Sequence, residues 1–198
     1  MLRRLKIAVW GLLIAGAALA GLTQLGWISS GGLPRVEVTI GGPFELTDHN
    51  GNRFSSKSLE GRPFAIFFGF TSCPDVCPTT LLEMSNQLKR LGPAADQLTV
   101  IFMSVDSERD TPSHLKAYLA NFDHRIVGLV GSEQEVRAVA KSYYAFYEKV
   151  PTSTGYTINH TASVYLMGRD GRYRGAISYH EPEAHQLAKL RRLMEGNP

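Results

Sequence analysis

Two cysteines, Cys73 and Cys77, stand four positions apart in Thr71-Ser72-Cys73-Pro74-Asp75-Val76-Cys77-Pro78, and the chain has no others. Two sulfurs cannot build a disulfide framework or a four-cysteine zinc site. They can exchange with other thiols, close a disulfide or hold a soft metal. The segment follows the most apolar strand pattern and leads into a helical pattern. In open α/β sheets the carboxyl ends of strands are the usual ligand site. A helix start also offers unpaired N–H groups and a positive dipole end, which favour thiolate over thiol. A plain disulfide is the bland alternative, yet a bridge closing so short a loop removes little chain entropy. Reversible thiol chemistry or a soft metal suits the spacing better. Pro74 and Pro78 each read as a first helical residue, while Thr80-x-x-Glu83 reads as a capping box. Cys73 is therefore open to placement in the loop or in the first turn. If both cysteines were helical, about 400° of rotation would put the sulfurs on one face.

Other polar residues carry weaker signals. A single His160 before a strand is ordinarily a polar loop residue. His49, His114, His124, His180 and His185 read as structural or exposed. Met84, Met103, Met167 and Met194 lie on apolar stripes or strands and read as core. Asp75 and Asp106 either tune a site or are solvated turn carboxylates, and Arg109 with Asp110 reads as a local solvated pair. No Gly-Lys-Ser/Thr follows the Gly-rich segment, so it is no phosphate loop, and no Ser-His-Asp signature is present.

The elements that must position the cysteines follow from periodicity. Phe44 and Leu46 alternate, 48–51 turns and Phe54 returns, which predicts a hairpin. Residues 64–70 form a continuous apolar run, the pattern of a strand buried on both faces. Leu81, Met84, Leu88 and Leu91 then share a helical stripe that ends at Gly92-Pro93. Residues 98–105 are a second buried strand. Thr111-Pro112 opens a helix with Leu115, Tyr118, Leu119 and Phe122 on one face. A short strand at 126–130 precedes the capping box Ser132 to Glu135 and the stripe Val136, Val139, Ala140 and Tyr143. A late hairpin pairs 164–167 with 173–177. Pro182 opens the last helix, with Leu187, Leu190 and Met194 facing inward. This order predicts an α/β fold with a mixed central sheet flanked by helices.

The chain has 198 residues, 43% hydrophobic and 20% charged, with net charge +3. That excludes wholesale disorder and fibrous repeats. Arg3, Arg4 and Lys6 account for the whole excess, so no basic surface for nucleic acid is expected elsewhere. Residues 7–34 lack any charge. Residues 7–28 as a helix would reach about 33 Å, enough to cross a hydrocarbon core of about 30 Å. The basic cluster ahead of them should stay cytoplasmic. A cleaved signal peptide is the rival, since Ala18-Leu19-Ala20 forms an A-x-A site. The expected layout is a membrane anchor or signal sequence at 1–28, a linker at 29–35 and one domain at 36–198, on the periplasmic side of a bacterial inner membrane.

Gly69-Phe70-Thr71-Ser72-Cys73-Pro74-Asp75-Val76-Cys77-Pro78-Thr79-Thr80-Leu81 resembles the signature of the Sco/SenC copper chaperones. Val105-Asp106-Ser107-Glu108-Arg109-Asp110-Thr111-Pro112 and Asn159-His160-Thr161-Ala162 resemble two further family motifs, in the same order. The resemblance runs from about Phe44 to the end of the chain. Phe70 replaces a common Tyr, Ser107 replaces a Pro, and Met167-Gly168-Arg169 replaces a more acidic turn. The resemblance implies a thioredoxin-like fold and delivery of copper to the CuA centre of cytochrome c oxidase subunit II. It implies Cys73, Cys77 and His160 as copper ligands. Two soft thiolates favour Cu(I), and an imidazole suits Cu(I) and Cu(II) alike. Other periplasmic copper chaperones, or a thiol reductant for the cysteine pair, are expected as further partners. The alternative function is a membrane-tethered thiol–disulfide oxidoreductase acting on the CuA cysteines with Cys73 and Cys77 as its redox pair. Dedicated reductases of this class carry Cys-x-x-Cys and need no distant His. A peroxidase ranks below both, since its Thr-x-x-Cys context is off by one here.

Overall fold

The computed structural model of the protein describes residues 10–18, 20, 21 and 39–196. Residues 10–18, 20 and 21 are helical, with Trp10, Leu12, Leu13 and Ile14 exposed. Among the described residues no helix is long and apolar enough to cross a membrane. Much of the expected anchor, and the whole linker, lie outside the described residues. The remaining elements fall in one unit, Thr39–Pro198.

The first hairpin pairs β1 (Glu45–Asp48) with β2 (Arg53–Ser55). Its turn closes because Asp48 accepts from the backbone of Asn50 and Asn52, each at 2.8 Å, while Gly51 takes a φ of +86°. Strand β3 (Phe64–Gly69) is buried at every position. Helix α1 (Val76–Leu91) follows, burying Cys77, Leu81, Met84 and Leu88, and Gly92 ends it at a φ of +60°. Strand β4 (Thr99–Ser104) leads to α2 (Pro112–Leu119), which Thr111 caps. Strand β5 (Ile126–Val130) leads to α3 (Glu133–Ser142), where the Ser132 and Glu135 capping box forms as its spacing predicts. A second hairpin, β6 (Tyr147–Thr152) and β7 (Gly155–His160), comes next. Strands β8 (Val164–Met167) and β9 (Tyr173–Ile177) and helix α4 (Glu183–Glu195) complete the chain.

The main sheet has seven strands in the order β2-β1-β5-β4-β3-β8-β9, and β6 pairs with β7 in a separate two-stranded sheet. Strands β3, β4 and β5 are parallel, while β1 and β8 run antiparallel to their neighbours. The sheet is mixed, as the element order predicts. Phe67, Phe68 and Phe102 lie in its centre at 1% exposure or less. Burying each such ring stabilises by about 2–3 kcal/mol.

This topology decides where the chemistry meets. Gly69 pairs with Ser104 at the parallel ends of β3 and β4, and Val105 N–H donates to Gly69 O at 2.8 Å. The cysteine loop and the 105–111 loop therefore leave the same end of the sheet. Strand β8 runs the other way, with Val164 opposite Phe67, so its start lies at that end too. The opposite end receives the chain from Thr39. There a β-carbon on Gly41 would sit 3.6 Å from the Gly171 carbonyl, in the turn beyond β8.

Three expectations need correction. Helix α2 ends at Leu119, short of Phe122, because the chain turns at Asn121 and Asp123 N–H donates to Ser85 Oγ at 3.0 Å. Helix α4 buries Gln186, Leu190 and Leu193, with Leu187 and Met194 only half-buried. Gln186 takes the inward place because its amide donates to Glu83 and to the Glu181 carbonyl, which satisfies a buried polar group. The β6–β7 hairpin has no counterpart in the periodicity reading.

Candidate metal centre

The chain leaves β3 at Gly69 and turns at once, with Cys73 N–H donating to Phe70 O at 3.2 Å. Helix α1 begins at Val76, with Asp75 as its N-cap but without a side-chain cap hydrogen bond. Of the open alternatives, Cys73 lies in the loop and Cys77 in the first helical turn. Neither proline starts the helix, and Thr80-x-x-Glu83 sits inside it. The missing cap is supplied by sulfur, since Cys77 N–H donates to Cys73 Sγ at 3.4 Å. An anion at that position faces the positive end of the helix dipole.

Both cysteines are free thiols, Cys77 buried and Cys73 half-buried. The Cys77 thiol donates to the Cys73 sulfur, so the Cys73 pKa falls to about 3 despite partial burial. Giving that hydrogen bond, together with burial, pushes Cys77 well above the ordinary thiol range. The pair is thus split into one half-buried thiolate and one buried thiol.

Gly69 makes room for the buried sulfur. A β-carbon there would sit 2.8 Å from Cys77 Sγ and 2.6 Å from the Phe102 ring. Any side chain at 69 would displace the sulfur from the sheet.

His160 is the last residue of β7, opposite Tyr147 in the hairpin. Its Nε2 lies 3.4 Å from Cys77 Sγ. Its Nδ1 lies 3.1 Å from the Thr161 carbonyl, which can only accept, so Nδ1 carries the proton and Nε2 is bare. Phe67 and Phe70 hold the ring edge-on at centroid distances of 5.8 and 5.7 Å. The ligand atoms of Cys73, Cys77 and His160 all lie within 4.8 Å of one another. Two sulfurs and one bare imidazole nitrogen form a donor set fit for a soft metal.

The acidic loop beside the site differs from its sequence reading. Asp106 is fully buried rather than solvated, and it pairs with the Arg109 guanidinium. Asp110 does not pair with Arg109. It is 4% exposed and accepts from Thr71 N–H at 3.1 Å, Thr71 Oγ1 at 2.5 Å and Ser104 Oγ at 2.6 Å. Three donors on two buried oxygens satisfy the carboxyl where water cannot. Asp75 is exposed, with Tyr179 Oη 3.4 Å away. His49 is structural, its Nδ1 accepting from Gly128 N–H at 3.0 Å. His114 and His124 are largely exposed. Met84, Met103 and Met167 are core as expected.

Two residues at the site escape the sequence reading. Gly69 is invisible because its role is the absence of a side chain. Tyr156, whose hydroxyl lies 2.8 Å from Asp106 Oδ1, belongs to the hairpin that periodicity missed. The available signal was Gly155 flanked by the alternation of Tyr156 and Ile158.

The SCO1/SenC family model matches residues 34–195. An SCO2-like protein of Rickettsia prowazekii (strain Madrid E) is 40% identical over 140 residues, spanning 69% of this chain and 68% of that protein. The structure of Bradyrhizobium japonicum ScoI with copper bound is 48% identical, with a TM-score of 0.73 over 78% of this chain and 99% of that one. BsSco, described as a member of the Sco family of cytochrome c oxidase assembly proteins with a disulfide switch, is 28% identical with a TM-score of 0.65, over 80% of this chain and 95% of its own. The two solved structures share the fold described above. On a match that runs through every element from β1 to α4, this chain belongs to the SCO1/SenC family.

Proposed function

We propose that the protein is a copper carrier that takes one copper ion as cargo on Cys73, Cys77 and His160 and passes it to the CuA centre of cytochrome c oxidase subunit II. The observation that carries this reading is the meeting of three donor atoms within 4.8 Å, with the imidazole Nε2 bare and turned to sulfur. Two sulfurs select a soft ion, and three donors leave room on it for a recipient's ligand. A carrier must bind firmly yet let go, which suits a centre at the end of a sheet with one half-exposed sulfur. The copper-bound ScoI relative and the oxidase-assembly role described for BsSco support the cargo and the recipient. Residues 1–28 would anchor the carrier in a bacterial inner membrane, with the domain in the periplasm, where a copper donor and a thiol reductant would serve it.

Anaerobic copper titration of the reduced protein, with X-ray absorption of the product, tests the reading. The expected result is one copper per chain with both sulfur and nitrogen neighbours. A site with sulfur neighbours alone, or equal affinity in wild type and His160→Ala, would remove His160 from it.

A second reading is thiol–disulfide exchange, favoured by the thiolate of Cys73 beside the thiol of Cys77. Cys73 would attack a target disulfide, and Cys77 would then release the target as two thiols, leaving a Cys73–Cys77 disulfide. Here His160→Ala should keep exchange activity, while Cys73→Ser and Cys77→Ser abolish it.

A further inference from the structure

His160 is carried by a hairpin that is no part of the main sheet. An isolated two-stranded hairpin is marginal in water, so its seat on the domain must come from side chains. Along β7 the side chains of Tyr156, Ile158 and His160 share one face. Ile158 is buried, and His160 meets the cysteines.

Tyr156 supplies one fastening, beside that of Tyr147, whose hydroxyl donates to Glu133 at 3.1 Å. The Tyr156 hydroxyl lies 2.8 Å from Asp106 Oδ1 and 3.1 Å from Glu108 Oε2. The Arg109 guanidinium lies 4.0 Å over its ring and donates to its carbonyl at 3.1 Å. Lys149, across the hairpin, reaches Glu108 at 2.6 Å. Asp106, Glu108 and Arg109 all belong to the 105–111 loop. The same loop holds the cysteine segment, through Asp110 and Thr71. One short stretch of chain thus grips both ligand-bearing segments.

We propose that Tyr156 and Asp106 are positioning residues for His160, latching the β6–β7 hairpin so that the imidazole stands over the two sulfurs. Neither touches the cargo. Asp106 is the fixed half, buried and braced by Arg109 and by its own N–H donated to Ser104 Oγ at 3.1 Å. Tyr156 is the half that a single substitution can release, since its hydroxyl is what reaches Asp106 and Glu108. The latch deepens the copper-carrier reading and rests on it for its functional consequence.

The test uses the full chain and four proteins: wild type, Tyr156→Phe, His160→Ala and the double variant. Tyr156→Phe keeps the ring under Arg109 and removes only the hydroxyl. Copper affinity, measured by competition with a chromophoric Cu(I) chelator, should fall about 10–100-fold in Tyr156→Phe, the range for partners that orient a ligand. The double variant should bind no more weakly than His160→Ala alone, because the latch acts only through the imidazole. Wild-type affinity in Tyr156→Phe, or additive losses in the double variant, would overturn the latch. A copper-free readout keeps the two proposals apart. In the apo protein the His160 ring nitrogens should give sharp resonances in wild type and exchange-broadened ones in Tyr156→Phe and Asp106→Asn. Identical ring spectra in wild type and Tyr156→Phe would refute the latch whatever the copper result. Failure of wild type to bind copper while the ring spectra change as expected would refute the carrier reading and leave the latch standing.

Discussion

The bare Nε2 of His160 lies 3.4 Å from the sulfur of Cys77, across 83 positions of sequence. Strand direction brings them together. Strand β3 ends where the antiparallel β8 begins, so the residues after one meet the residues before the other.

His160→Ala should weaken copper binding by at least about tenfold, since a nitrogen donor is lost while two sulfurs remain. The Cys73–Cys77 disulfide should still form, because His160 is not needed to bring the sulfurs together. Chelator competition and mass spectrometry of the oxidised protein check the two halves.

Gly69→Ala should destabilise the fold by about 1–3 kcal/mol, the usual cost of forcing a methyl into a packed interior. The neighbours are the Cys77 sulfur and the Phe102 ring, so the strain falls on the metal centre itself. Urea unfolding would show the loss, and copper stoichiometry would drop with it. Unchanged values for both would mean that the sheet relaxes without cost.

Cys73 should alkylate with iodoacetamide at a rate almost independent of pH between about 5 and 8. Its pKa lies at about 3 in the folded chain against an ordinary 9.0, so the thiolate persists through this range and disappears only as pH falls toward 3. An ordinary thiol would slow about tenfold per pH unit below its pKa. Cys77, shifted the other way and buried, should label only on unfolding. Peptide mapping after timed labelling distinguishes the two cysteines.

Asp110→Asn should cost about 2–3 kcal/mol, because an amide NH2 would face donors that now bond a buried carboxyl. Two of those three donors belong to Thr71, so the cysteine loop should loosen as well. Hydrogen exchange at the Thr71 and Cys73 amides should quicken more than elsewhere in the sheet.

Much of this architecture is legible in the residues. Strands β5, β8 and β9 fall at their predicted bounds, and β3 and β4 lie within theirs; for β3, β4, β5 and β8 the reason is that buried runs of Phe, Ile, Val and Met have few other places to go. Cys73 and Cys77 are visible by their chemistry, while His160 stands out only through the resemblance of Asn159-His160-Thr161-Ala162 to a family motif. The β6–β7 hairpin is not, because Glu148, Pro151 and Thr152 face water and break the alternation that marks a half-buried strand. The burial of Asp106 and Asp110 is hidden for a related reason. A carboxyl reads as solvent-loving until its donors are known, and those donors stand on β4, in the cysteine loop and in the hairpin. The start of α1 is ambiguous because its cap is a sulfur rather than the usual oxygen.

The chain enters its domain beside Gly171, at the far end of the central strands from His160. Strand β3 alone separates the two poles by about 17 Å at the usual rise per residue. A partner approaching the sulfurs therefore meets neither the Gly41 segment nor the turn at Gly171.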